Sequence, residues 1–173
     1  MRTFAAAFRT APLTPTNRDH SEPALIAAGT DTLLNAPSLL KILGGAREIA
    51  FLAVTLGEIW DTALDQLAAA NEPAEAWFLD AIGTAMTDRA ARIVEDRIAI
   101  DMARDGLTRT RRHRPGYGDW RLEAQGDICR IVAAERIGIR VNEAFALLPR
   151  KSVTGIVGFG EDAEEPAENS GGA

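Results

Sequence analysis

Between Glu48 and Thr55 the chain reads EIAFLAVT, an apolar run with Gly44-Gly45 before it and Gly57 after it. A run of this length, rich in β-formers and bounded by turn residues, predicts a buried strand. The period then changes. Ile59, Ala63 and Leu67, with Trp60 and Leu64 beside them, recur at helical spacing and predict a helix over 58–70, which Asn71-Glu72-Pro73 ends. The pattern restarts at once and predicts a second, much longer helix over 74–104. Trp77, Phe78, Ile82, Met86, Ile93 and Val94 form its large-residue face. Another face carries Ala81, Thr84, Ala85, Asp88 and Ala91, where small side chains leave room for close approach.

The flanking segments are read the same way. Ser21-Glu22-Pro23 has the form of a helix entry and predicts a short helix over 23–28. A helix over 36–43 would stop at Gly44-Gly45. Residues 1–20, with Pro12 and Pro15 among small and polar side chains, read as an arm with at most short structure. Gly106 closes the long helix, and 107–114 alternates as a strand entering a loop. Pro115-Gly116-Tyr117-Gly118-Asp119-Trp120 is turn chemistry. A helix over 121–135, with Leu122, Ile128, Cys129 and Val132 inward, ends at Gly138. The runs 145–148 and 152–159, joined by Pro149-Arg150-Lys151, predict an antiparallel hairpin. Mixed helices and strands with an antiparallel pair favour an α+β fold class over a doubly wound parallel sheet, in a single domain over 21–160 with flanking helices and one long helix.

Charge alters this picture at two places. The chain has 173 residues, 19 Lys+Arg against 25 Asp+Glu, and a net charge of −6. Five of the acids lie in 161–173, which holds no base, so the rest of the chain is nearly neutral. That tail is polar, acidic and poor in apolar side chains, and is expected to be disordered. The other place is basic: six arginines between Arg104 and Arg121 face only Asp105 and Asp119. No apolar run approaches the ~18 residues of a spanning helix, so no membrane is expected. A single cysteine, Cys129, forms no internal disulfide and fits a cytoplasmic location. Two histidines and one cysteine offer too few soft ligands for a structural zinc, and no metal is expected.

The sequence holds no P-loop, GxGxxG, GxSxG or HExxH. Cys129 falls on an apolar helix face, where a buried core thiol is the simpler reading than a nucleophile. Asp88 and Arg92 at i,i+4 read as an ordinary helix pair. The segment RRHRPGYGDW, 111–120, remains. Its guanidinium groups offer planar forks to a carboxylate or phosphate, its glycines let backbone approach a ligand, and Tyr117 and Trp120 offer flat surfaces. The alternative is an exposed basic loop whose aromatics cap the core. Nucleic acid is not expected, because the arginine-rich patch is short and the whole protein is acidic.

At this point the chain resembles a known family. Arg112-x-x-x-Gly116-Tyr117 is similar to the RxxxGY signature of the activation domain of cobalamin-dependent methionine synthase. DAIGT at 80–84, AVTLG at 53–57, IGIRVNE at 137–143 and PRKSVTG at 149–155 are similar to further segments of its short, stand-alone members, in order and spacing. The resemblance spans roughly 46–160 and implies a single curved α+β domain with a central antiparallel sheet. It implies a reactivation subunit that presents S-adenosylmethionine so that cob(II)alamin, given an electron by a flavodoxin-type donor, is remethylated. It implies that the cobalamin comes with a partner, the cobalamin-binding methionine synthase subunit. By the same resemblance Arg112 would grip the methionine carboxylate, Gly116 would admit the ligand to the backbone, and Tyr117 would lie on the corrinoid side. Asp88 would hold the ammonium. Ser152 and Val153 would belong to the corrinoid-facing segment, and Arg114 completes the candidate contacts. Two family features have no counterpart: an acid in an aspartate–tryptophan context near the start, and tyrosines after the last strand. They motivate an alternative, a non-catalytic corrinoid-facing component without S-adenosylmethionine.

Overall fold

The computed structural model of the protein describes residues 4–16, 24–30, 33–34 and 36–161. In chain order these form β1 (Ala5–Thr16), β2 (Ala24–Ala27), β3 (Leu33–Leu34), α1 (Pro37–Leu43), β4 (Glu48–Thr55), α2 (Ile59–Ala69) and α3 (Pro73–Met102). They continue with β5 (Thr108–Arg109), α4 (Ala124–Ile131), β6 (Arg140–Val141), β7 (Leu147–Leu148) and β8 (Ser152–Gly160). A six-stranded sheet runs β3-β2-β1-β4-β8-β5, with every pairing antiparallel; β6 and β7 form a separate pair. The architecture is α+β, as the pattern predicts.

β4 sits at the centre for a reason visible in its residues. Ile49, Phe51 and Ala53 face a core closed by α1 and α4, while Ala50, Leu52 and Val54 face a second core closed by α3. A strand apolar on both faces has to lie between two layers of helix. β8 is sheathed in the same way: Ile156 joins the first core, and Val153, Val157 and Phe159 join the second.

Five expectations are corrected. The stretch read as an arm contains β1, a twelve-residue strand that pairs with β4 over 5–12 and with β2 over 13–16. Its apolar signal is muted because alanines supply much of it, yet Ala11 and Leu13 are buried. The helix expected over 23–28 is instead β2 over 24–27, where pairing with β1 overrides the local helix-entry signal. Ser21, Glu22 and Pro23 lie outside the described residues, as does the acidic tail beyond Glu161.

The expected hairpin does not form. β7 pairs with β6, and β8 inserts between β4 and β5. An apolar strand as long as β8 gains more from two buried faces than from a two-residue partner. The fourth correction concerns α3. Its supposed large-residue face is mostly solvent-facing: Trp77, Phe78, Ile82 and Ile93 are exposed. Gly83, Thr87, Ala90, Ala91, Val94, Glu95 and Ile98 are the buried positions, because a helix lying close on a sheet needs small side chains at the contact. Leu122, expected inward on a helix, is exposed and precedes α4. No helix among the described residues is long and apolar enough to cross a membrane.

Candidate functional site

The site forms where the loop after β5 passes between the edge of β8 and α3. Thr110 N–H donates to the Gly158 carbonyl (2.9 Å), and His113 and Ile156 exchange both backbone hydrogen bonds (2.9 Å each). The segment is thus laid along β8 as an irregular edge. Two consecutive side chains leave it for opposite layers. Arg112 crosses over Gly155 toward α3; His113 turns toward α1, stacks on Trp120 at 5.9 Å and lies 3.4 Å from the Ser38 hydroxyl.

Turn geometry then returns the chain. Gly116 and Gly118 have φ of 86° and 63°, values that glycine adopts without steric cost. Gly116 N–H donates to the Trp120 carbonyl (2.8 Å), closing the loop. Asp119 pins it to the start of α1, accepting from the Ser38 N–H (3.0 Å) and from the Ser38 hydroxyl. Those bonds hold the Asp119 carboxyl below its usual range. Ser38, His113 and Asp119 do not form a nucleophilic triad, because the carboxylate holds the serine rather than the imidazole. Burial, opposed by Asp119, lowers the His113 pKa.

Arg112 is the centre of the arrangement. Its side chain is 7% exposed, Nη1 donates to Glu95 Oε1, and Nη2 donates to Asp88 Oδ1. Asp88 also accepts from Arg114 Nη2 (2.7 Å) and Arg92 Nε (3.1 Å). Asp88 and Glu95 are two helical turns apart on α3 and therefore share a flank. Burial pushes the Asp88 carboxyl up, but the combined pull of Arg112, Arg114 and Arg92 prevails and holds it below the usual range. At Glu95 burial prevails over Arg112 and Arg109, and the carboxyl is raised. The difference is physical: Asp88 faces three guanidinium groups and part of the solvent, whereas Glu95 is almost wholly enclosed.

One buried donor is left over. Among the described residues, Arg112 Nε is a buried side-chain polar atom with no hydrogen-bond partner. Other residues of the same loop and helix are exposed. Tyr117 is 62% exposed with the Arg114 guanidinium 6.0 Å from its ring, and Ala81, Thr84 and Ala85 of α3 are exposed. The predicted residues Asp88, Arg112 and Arg114 are therefore brought into direct contact, with Tyr117 against Arg114. The i,i+4 pair Asp88–Arg92 is present as expected, but it is one arm of a larger cluster.

Ser152 and Val153 stand differently. Ser152 Oγ donates to Thr55 Oγ1 (2.8 Å), and the Val153 side chain is buried in the α3-side core. Neither side chain is directed at the arginine cluster by any of these bonds. Cys129 is buried in the α4-side core, where burial pushes its thiol up to about 11.

Sequence reading overlooked three contributors. Glu95 is a charged residue on an otherwise small or apolar buried stripe, and that misfit was its signal. Gly155 gives Arg112 its path. Lys151, expected only in a turn, is a buried side chain whose Nζ donates to Asp80 Oδ1 (2.7 Å) and Thr84 Oγ1 (2.9 Å), fastening the loop before β8 to α3.

No protein-family model and no curated protein matches the sequence. Among solved structures, a crystal structure of the MetH reactivation domain bound to AdoHcy is similar, with a TM-score of 0.64 and 18% identity. The match covers 95% of this chain and 61% of that one, so this chain spans less than two thirds of the neighbour's length. At this identity the likeness establishes a shared fold.

Proposed function

We propose that this chain is a reactivation subunit of a cobalamin-dependent methyltransferase, in the first instance a split methionine synthase, and that it presents S-adenosylmethionine to a cobalamin carried by a partner protein. The single observation that carries the reading is the Arg112 cluster: a buried guanidinium fixed by two carboxylates, with Nε unpartnered and the exposed Tyr117 beside its neighbour Arg114. Supporting it are the shared fold with a domain whose structure holds AdoHcy and the RxxxGY resemblance at the same residues.

The residues fit an amino-acid end group. Arg112 and Arg114 offer donors to a carboxylate, and the fork of a guanidinium matches its two oxygens. Asp88 offers a carboxylate to an ammonium. Three guanidinium groups, of Arg92, Arg112 and Arg114, meet two carboxylates, of Asp88 and Glu95, so the cluster keeps one positive charge for an incoming carboxylate. Gly116 presents bare backbone at the rim, and exposed Tyr117 marks the side open to a corrinoid. Ser152 and Val153 enter the reading through their backbone at the head of β8, because their side chains are engaged elsewhere. Bound here, S-adenosylmethionine would be the methyl donor for a one-electron-reduced cobalamin on the partner, with S-adenosylhomocysteine as the leaving product, and Arg112, Arg114 and Asp88 would hold its amino-acid end. The protein's own work is alignment: it holds one end of the donor and excludes other poses, a contribution of proximity and orientation.

A second reading has its own observation. Both Nη groups of Arg112 already pair with acids of this chain, as a purely structural arginine would. In that reading the chain is a non-catalytic corrinoid-facing component without S-adenosylmethionine. Calorimetric titration of the full chain with S-adenosylmethionine, then with a cobalamin-loaded partner, separates the two. Saturable binding of both supports presentation; binding of the partner alone supports the cap; binding of neither sinks both.

A further inference from the structure

We infer that Glu95 is the positioning residue of this site: it holds Arg112 through Nη1 and so fixes the guanidinium whose Nη2 meets Asp88 and whose Nε is unpartnered. The inference rests on the reading of the Arg112–Asp88 cluster as a ligand site.

Glu95 is costly where it stands. Its side chain is 10% exposed and lies among Ala91, Val94 and Ile98 on the face of α3 that packs on the sheet. A carboxylate there loses its hydration, and a well-packed apolar side chain would serve the fold as well or better. The groups that face it are Arg112 from the loop, Arg109 from β5 and Asp88 on its own helix. Among the described residues Arg112 bonds it directly, and Arg109 pairs instead with Asp96 at 2.7 Å. What Glu95 offers is therefore directed at one guanidinium.

The division of labour follows from which acid can move. Asp88 has two other guanidinium partners, Arg92 and Arg114, and is about one third exposed. It can turn to a ligand ammonium without being left uncompensated. Arg112 is buried and has no second route to neutrality except Glu95. With Glu95 in place, Arg112 can release Asp88 and accept a ligand carboxylate at Nη2 and Nε while keeping one charged partner behind it. Without Glu95, Arg112 would hold Asp88 and the site would stay closed on itself.

The test uses the full chain, with Glu95→Gln and Glu95→Leu beside wild type. Two readouts are taken: the dissociation constant for S-adenosylmethionine, and the Arg112 Nε–H signal by nitrogen-15 NMR. The expected result is folded variants whose binding is weaker by about tenfold or more, the worth of one charge-assisted hydrogen bond. The Arg112 Nε–H signal, sharp and slow to exchange in wild type, is expected to broaden in both. Variants that bind within twofold of wild type with an unchanged Arg112 signal would overturn the inference. If wild type binds no S-adenosylmethionine, the functional reading fails by itself; a signal that still depends on Glu95 keeps the positioning role, and one that does not removes it too.

Discussion

The stem of Arg112 occupies the space that a side chain at position 155 would need: a Cβ on Gly155 would stand 2.9 Å from both Cγ and Cδ of Arg112 and 3.0 Å from the His113 carbonyl oxygen. Gly155→Ala therefore has to displace the arginine or the loop that bears it. Overpacking of this kind costs about 1–3 kcal/mol. Denaturant unfolding should show that loss, and titration should show loss of ligand binding. Gly158→Ala is the matched control. Its Cβ would meet Leu43 Cδ2 at 2.6 Å, on the α1 side of the same strand. It should destabilise comparably; because Gly158 also bonds Thr110 at the start of the candidate loop, it should weaken binding less than Gly155→Ala but not leave it untouched.

Acid should weaken binding through Glu95. Glu95 is raised above the usual 4.5, so as pH falls it takes up a proton first, and Arg112 loses its rear partner. Asp88 is held below the usual 3.8 and is still charged in that window. The stability terms run in opposite senses. A raised carboxyl contributes stability at low pH that is lost as pH rises through its folded value; the depressed Asp88 contributes stability above its unfolded value that is lost as pH falls through its folded one. Affinity for S-adenosylmethionine followed from neutrality down towards the ordinary carboxylate range should decline in wild type, before Asp88 takes up its proton, and stay flat in Glu95→Gln. A flat wild-type profile would contradict the assignment.

Lys151 should matter to the loop before β8 by two separable means. Its ammonium bonds Asp80 and Thr84, and its stem lies against Gly83 beside Trp60. Lys151→Met keeps the stem and should cost about 1 kcal/mol, since Asp80 is largely exposed. Lys151→Ala loses the stem as well and should cost more. Equal losses in denaturant unfolding would place the whole effect on the charge.

Cys129 should resist alkylation in the folded protein. Burial lifts its thiol to about 11 from the ordinary 9.0, which lowers the thiolate fraction at pH 8 about a hundredfold. Iodoacetamide should label it promptly only after unfolding. Rapid labelling of the native chain would mean an open core at α4.

Much of the fold could be read from the residues, because several elements carry their own signals. β4 begins and ends where glycines and apolar periodicity place it, at Glu48 and Thr55. α1 stops at Gly44, and α2 gives way to α3 at Asn71-Glu72-Pro73. β1 is hard to read because its alternation is written in alanine and interrupted by Pro12 and Pro15, and β4, its partner over 5–12, lies more than thirty residues away. β8 was recognised as a strand but given the wrong neighbour, since register between distant strands is a tertiary property. On α3 the bulky residues suggested the buried side, yet the sheet's approach selected glycine, alanine and threonine. The site divides similarly. Arg112, Gly116 and Tyr117 share one short motif and could be named together. Glu95 and Gly155 act on Arg112 from other elements, and only the packing of α3 on β8 brings them there.

The central claim is that Arg112 serves a ligand and not only the fold. Calorimetric titration of S-adenosylmethionine into the wild-type chain and into Arg112→Lys tests it most directly. Lysine keeps the charge but lacks the planar fork, so the prediction is saturable one-to-one binding by wild type and affinity weaker by about tenfold or more in a folded variant. Absence of binding to wild type, or equal affinity in Arg112→Lys, would contradict it.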